Sequence, residues 1–266
     1  MIDNGSLNAK EIKKVITSVH RINFISLPKN MGIAHAQNVG IKIAHELQAA
    51  FVLTLDQDSV PSVNMVSSLI AIYEKFEIRG RIAAIGPLLK DEHTELYLPF
   101  FSYSKGRKRR ISPVEDNVVL DVEFLVSSGS LLAMNALKEV GLMHEALFIS
   151  YVDVEWCLRA KGHGFQVLAC CSTTMVHNLG DRRLKVGSWL VPLHSPLRHF
   201  YLMRSGILMQ RLPHVPTYWK RADIVQLIRS FILFSAIGLP SFSELISMSR
   251  GLLAGLRLNI NFPPKL

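Results

Sequence analysis

The sequence predicts an α/β protein, and three observations carry that expectation. Strand-like and helix-like stretches alternate over the first third of the chain. An apolar run of strand length, Phe51-Val52-Leu53-Thr54-Leu55, stops abruptly at Asp56-Gln57-Asp58. The other acidic and imidazole positions of interest also fall near element ends, where loops gather and ligands bind. Such alternation argues for a largely parallel sheet with helices packed on it.

The elements follow in order. Asp3-Asn4-Gly5-Ser6 is turn chemistry. Lys10 to Val19 reads as a short amphipathic helix, and Ile22 to Leu27 as a strand ended by Pro28. In the helix from Gly32 to Leu47, Ile33, Ala36, Val39, Ile43 and Leu47 recur at helical spacing. The strand ending at Asp56 comes next. Pro61 precedes a helix from Asn64 to Phe76, with Asn64 as its N-cap. Ile82 to Ile85 is a strand closed by Gly86-Pro87. Lys90 to Pro113 breaks the pattern and reads as a mobile loop. Its basic run, Lys105-Gly-Arg-Lys-Arg-Arg110, suits a solvated loop or a patch for anionic lipid head groups. Val118 to Phe124 and Gly129 to Met134 are strands, and Ala136 to Val140 is a short helix closed by Gly141. Asp153 to Lys161 is a helix with Asp153 at the N-cap position, and Phe165 to Ala169 is a further strand. From Val191 onward the texture turns helical and acid-poor. A boundary near 190 therefore divides residues 1–190 from an extension of 191–266.

Composition narrows the function classes. The 266 residues are 49% hydrophobic, enough for a real core. The formal charge of +9 suits nucleic acid, anionic lipid or a phosphorylated substrate. Nucleic acid is disfavoured, because aromatic and basic residues do not interleave as a stacking platform requires. Cys157, Cys170 and Cys171 show neither disulfide nor metal spacing, which suits reduced thiols in a cytoplasmic setting. The N-terminus has no signal-peptide pattern, and no segment reaches the roughly 18 apolar residues of a spanning helix.

The carboxylates carry the chemistry. In an extended chain Asp56 and Asp58 point the same way, so they can converge on one hard cation that shares its shell with substrate phosphates. His177, after the strand from Phe165, completes an Asp/Asp/His set suited to Mn2+ or Mg2+, the imidazole favouring Mn2+. Asp153-Val154-Glu155-Trp156 supplies further acids. A simple acidic turn, a structural His and a plain N-cap are the bland alternatives.

Five ordered segments resemble a family 2 glycosyltransferase, and more narrowly the bacterial rhamnosyltransferase branch. They are Asn30 to Gly40, Leu55 to Ser59, Ser128-Gly-Ser130, Phe148 to Arg159, and His177-Asn-Leu-Gly180. The resemblance runs from about residue 2 to at least Arg204. It implies the glycosyltransferase A-type fold: a Rossmann-like sandwich around a mixed sheet, with a helical C-terminal extension. It also implies that the first strand is lacking, since Met1-Ile2 runs directly into Asp3. By the same resemblance Asp58 binds the divalent cation, Asp56 holds the ribose or shares the metal, and His177 completes the shell. Asp153 matches the base, with Glu155 ranked second. Gly32, Ala34, Gln37 and Asn38 match the segment beside the nucleotide, and Trp156 and Arg159 the helix lining the acceptor side. Ser150 stands where the family often has Asp.

The implied function is metal-dependent, inverting transfer of a deoxyhexose. The donor would be dTDP-rhamnose and the acceptor a cell-surface or lipid-linked glycan such as O-antigen, built on the cytoplasmic side. Two rivals remain: an inactive remnant or membrane-associated subunit, and a nucleotidyltransferase of similar fold. Tyr218-Trp-Lys-Arg221 sets aromatics beside cations, and the apolar stretches after it carry interspersed arginines. They read either as interfacial helices in peripheral contact with the inner leaflet, or as a buried helical extension.

Overall fold

The computed structural model describes residues 1–18, 22–78, 80–104, 107–112, 119–177, 182–186, 189–193, 195–237, 242–260 and 262–266. The N-terminal part opens with β1 (Ile2–Asp3), α1 (Ala9–Thr17), β2 (Ile25–Ser26) and α2 (Ile33–Glu46). Then come β3 (Phe51–Leu53), β4 (Val60–Pro61), α3 (Met65–Glu77) and β5 (Ile82–Asp91). A hairpin of β6 (Phe100–Ser104) and β7 (Arg107–Ile111) leads to β8 (Val119–Asp121), β9 (Leu131–Ala133) and α4 (Met134–Val140). The chain continues through α5 (Val152–Gly162), β10 (Gln166–His177) and the hairpin β11 (Arg182–Val186) and β12 (Trp189–Leu193). Three helices finish it: α6 (Pro196–Arg211), α7 (Thr217–Ile237) and α8 (Ser243–Arg257).

The main sheet runs β3-β9-β5-β10-β4, with β8 also on β10. It is mixed rather than largely parallel. β5 and β10 pair in parallel, whereas β9 lies antiparallel between β3 and β5. β3, β5 and β10 therefore point one way, and their carboxyl ends gather the acids. β1 and β2 form a separate parallel pair, and among the described residues no strand pairs with the second edge of β1 or of β3. Helix α2 touches both.

β5 reads Ile82-Ala-Ala-Ile-Gly-Pro-Leu-Leu and is buried almost throughout, as a strand covered on both faces must be. Gly86-Pro87 does not end it, contrary to the sequence expectation. Pro87 faces Cys170 where the register to β10 shifts, and an irregularity spares a proline the ladder bond it cannot make. β10 likewise runs on past Ala169, so His177 is the last residue of a strand and not a loop residue. The segment expected as a mobile loop contains the β6–β7 hairpin, stabilised by Phe101 stacked on Phe124 and Tyr103 against Tyr218. Lys105 and Gly106 of its basic run lie outside the described residues, as do Asn178 to Gly180.

One core joins the sheet to the C-terminal part, since Leu208, Met209, Leu212, Val215 and Trp219 belong to the same cluster as β5 and β10. Helices α6 and α8 cross closely. A Cβ on Gly251 would stand 2.3 Å from the Phe200 carbonyl oxygen, and one on Gly255 2.7 Å from that of Arg204. Only glycine at both turns lets the backbones approach so far. Tyr218 and Trp219, expected at a membrane interface, instead face inward: Tyr218 Oη donates to Glu123 at 2.6 Å, and Trp219 is buried. Among the described residues no helix is long and apolar enough to cross a membrane.

Candidate active site

Asp56, Asp58 and His177 come together. One ligand atom from each lies within 4.8 Å of the others, although His177 is over a hundred residues away in the chain. β3 delivers the aspartates and the parallel β10 delivers the histidine. Ser59 Oγ sits 2.9 Å from His177 Nδ1 and 2.7 Å from Ser128 Oγ. With Nδ1 engaged, Nε2 is the nitrogen left for a cation, and the serine fixes the ring. Ser128 Oγ also accepts from the Asp56 backbone N–H at 2.9 Å. The Ser127–Ser130 segment is itself braced on Thr54, whose hydroxyl donates to the Ser127 carbonyl.

Asp56 is half-buried and its carboxyl is pushed up by burial. His177 opposes that shift, the charge of Asp58 adds to it, and Arg198 opposes it again. Arg198 is a cation near the pair that pattern reading did not single out. The only available signal was its place in Ser195-Pro-Leu-Arg, at the start of α6.

Asp153 lies near this cluster. Its Oδ2 accepts from Ser127 N at 3.2 Å and its Oδ1 from Val154 N at 2.9 Å, and its charge couples to Asp56. The helix begins at Val152, with Tyr151 in the cap position, so Asp153 lies inside the first turn and is not the N-cap. Burial raises its pKa, and the Val154 and Ser127 hydrogen bonds only partly offset this. A carboxyl kept more basic than usual beside an acid cluster is suited to accept a proton.

The loop before Asp153 is strained. Phe148 has φ 65° and ψ −68°, and Ile149 N donates to Leu147 O at 2.8 Å, a γ-turn with positive φ. Tyr151 is also left-handed, at φ 68°. Contacts hold both. Tyr201 of α6 stacks on Phe148 at 4.4 Å, and Tyr151 Oη donates to Asp223 of α7 at 2.9 Å. Gly32, at φ 88°, lies against Phe148, where any Cβ would sit 2.6 Å from its ring.

Several expected site residues do other work. Glu155 is fully buried, with Arg159 Nε donating to Oε1 at 2.8 Å and Nη2 to Oε2 at 3.0 Å. His214 Nε2 lies 2.7 Å from the same carboxylate. Glu155 is thus outside the acid cluster, and Arg159, which also donates to the Val140 and Leu142 carbonyls, is inside the protein and not on an acceptor surface. Trp156 is buried too, its Nε1 donating to Gly141 O at 2.9 Å. Ala34 is core, and Asn38 bonds both the backbone N–H and the carbonyl of Met143, so neither has surface to offer a nucleotide. Gln37 differs: its Nε2 donates to Ser127 Oγ at 2.5 Å, and its buried Oε1 has no hydrogen-bond partner among the described residues.

With this geometry in place, comparison with known proteins decides the family. The Glycosyl transferase family 2 model matches residues 1–119. The dTDP-rhamnosyl transferase RfbF of Shigella flexneri is 33% identical over 215 residues, which cover 80% of this chain and 71% of RfbF. The chain belongs to glycosyl transferase family 2. It lies in the rhamnosyltransferase branch, and the expected enzyme class, a glycosyltransferase, stands. Among solved structures, GalNAc-T7 with UDP, GalNAc and Mn2+ aligns at TM-score 0.53 and 15% identity over 92% of this family 2 chain. This chain spans about half of that structure, 51% of its length, and the likeness is one of fold. Staphylococcus aureus TarS 1-349 in complex with UDP aligns at TM-score 0.49 and 14% identity, over 89% of this chain and 63% of TarS. The glycosyltransferase A-type fold with a mixed sheet and helical C-terminal part is therefore as the sequence predicted.

Proposed function

We propose that this family 2 glycosyltransferase moves rhamnose from dTDP-rhamnose onto a cell-surface polysaccharide acceptor, with inversion, in a divalent-metal-dependent reaction. One observation carries the reading: Asp56, Asp58 and His177 converge within 4.8 Å, with Asp153 beside them. Two carboxylates and one imidazole fit Mn2+ or Mg2+, and the nitrogen ligand favours Mn2+. Such an ion, when bound, neutralises charge on the diphosphate of the donor. The likeness to GalNAc-T7, solved with Mn2+, supports the metal; RfbF supports the sugar.

The side chains divide the work. Asp58, exposed, meets the donor first, while Asp56 and His177 are held by Ser128 and Ser59. Asp153 takes the proton of the acceptor hydroxyl. One base on one side of the sugar gives a single displacement and hence inversion. Gln37 Oε1, a buried acceptor without a partner among the described residues, suits a hydroxyl of the donor. The place of action is the cytoplasmic face of the membrane; the division into residues 1–190 and 191–266 sets the acid cluster in the first part and the outer helices in the second, with Arg198 of the second part acting on Asp56.

The test is donor turnover by purified protein, with dTDP-rhamnose set against UDP-sugars and Mn2+ set against chelator. Turnover of dTDP-rhamnose that chelator abolishes and Asp153→Asn removes is expected. A folded protein that turns over no donor with any metal would favour the non-enzymatic reading instead.

A further inference from the structure

We propose that α7 and α8 form a docking face for the anionic headgroups of a phospholipid bilayer. The proposal deepens the function proposed above, because it names the surface that would bring the enzyme to a lipid-linked acceptor. Helix α7 is apolar on two sides. Leu227 and Phe234 point inward, into a small core with Met203 and Met248. Ile224, Ile228 and Ile232 recur every four residues on the outer side and are exposed, Ile232 at 65%. With Ile207, Phe231 and Leu252 they line a groove of about 210 Å³ that no polar side chain enters. On α8, Ile246, Leu253 and Leu256 are exposed as well.

Charge identifies the occupant. Arg221, Arg229, Arg250 and Arg257 are exposed on the same two helices, and none forms an ion pair among the described residues. The two acids of these helices both face inward. Asp223 accepts from Tyr151 and Gln210, and Glu244 lies 2.5 Å from His199 Nδ1. The strand β7, which touches α7, adds exposed Arg109 and Arg110. An aliphatic surface with uncompensated arginines fits anionic headgroups above acyl chains. A second copy fits poorly, since a two-fold contact would set these arginines against their own equivalents. The tie from Asp223 to Tyr151, two residues before Asp153, gives the outer face of α7 a set orientation to the site.

Co-sedimentation with phosphatidylcholine vesicles, with and without phosphatidylglycerol, tests this. Binding only to the anionic vesicles is expected, weakening as salt is raised. Arg229→Ala and Arg250→Ala should each weaken it about fivefold. Ile228→Glu with Ile232→Glu should abolish it while circular dichroism and turnover with a water-soluble acceptor stay unchanged. The arginine variants are surface changes and keep the test open should the glutamate pair unfold. Wild-type protein that ignores anionic vesicles, or binding that survives the glutamate pair, overturns the proposal. So does a dimer in light scattering that Ile228→Glu dissociates without any vesicle binding, which assigns the face to a second copy. Loss of donor turnover with vesicle binding intact would sink the transferase reading and leave this one standing.

Discussion

Asp153 and Glu155 stand two positions apart in the first turn of α5, and their pKa values shift in opposite directions. Around Asp153, burial outweighs the backbone hydrogen bonds, so its pKa rises. Around Glu155 burial is also the largest influence, but His214 and Arg159 together overcome it and hold the group at about 2. The difference lies in the counter-charge. A desolvated carboxyl without a cation is held ready to take a proton, whereas one paired with Arg159 and hydrogen-bonded by His214 becomes a strut. Here the strut ties α5 to His214, in the turn between α6 and α7, and Tyr151–Asp223 adds a second tie just before Asp153.

The sharpest way to break this contrast is Asp153→Asn. Transfer should fall by about 10²–10⁴-fold with donor affinity kept, as measured by turnover and by dTDP-rhamnose binding. The same change should slightly raise stability at neutral pH, because it removes an ionised group whose folded-state pKa is raised. An Asn variant that turns over normally would return the base to an unassigned position.

Glu155→Ala should instead cost about 3–5 kcal/mol of stability by leaving Arg159 buried and unpaired, read from urea unfolding. The pH dependence carries the sign. Glu155 has a folded-state pKa below its ordinary 4.5, so its contribution is complete above that value and is lost as pH falls toward about 2. Glu155→Gln should flatten that part of the stability profile. Asp153 acts at the other end: the acid limb of the rate profile should lie above the usual carboxylate range, with activity lost as pH falls through it.

Tyr151→Phe sharpens the contrast at lower amplitude. Removing the bond to Asp223 should reduce the turnover number more than it changes donor affinity, because it loosens the backbone just ahead of Asp153, the proposed base. Trp156→Phe should have the smallest effect, about 1 kcal/mol of stability for the lost bond to Gly141 and no change in acceptor KM. A shifted KM would restore Trp156 to the acceptor side.

Much of this was legible beforehand because it is local. The strand ending at Asp56, the αβ alternation and the glycine closing α4 are short-range patterns, and each lies where expected within a few residues. The errors came from judging ends by residue type. Gly86-Pro87 looked like a stop, but a register irregularity accommodates the proline inside β5. Tyr218 and Trp219 looked interfacial, yet Glu123 and the core claim them. Motif position is a weaker guide: Ala34, Asn38, Trp156 and Arg159 stand in segments that resemble binding motifs, and their side chains are buried in the interior.

By itself the sequence determined the layered α/β plan, the aspartate pair and the family, because periodicity and ordered motifs are written along the chain. Only the tertiary structure set the two acids of α5 apart, Asp153 held by backbone N–H groups and Glu155 by Arg159 and His214. Burial and counter-charge come from distant segments, and His214, Asp223 and Arg198 meet α5 and β3 solely through folding.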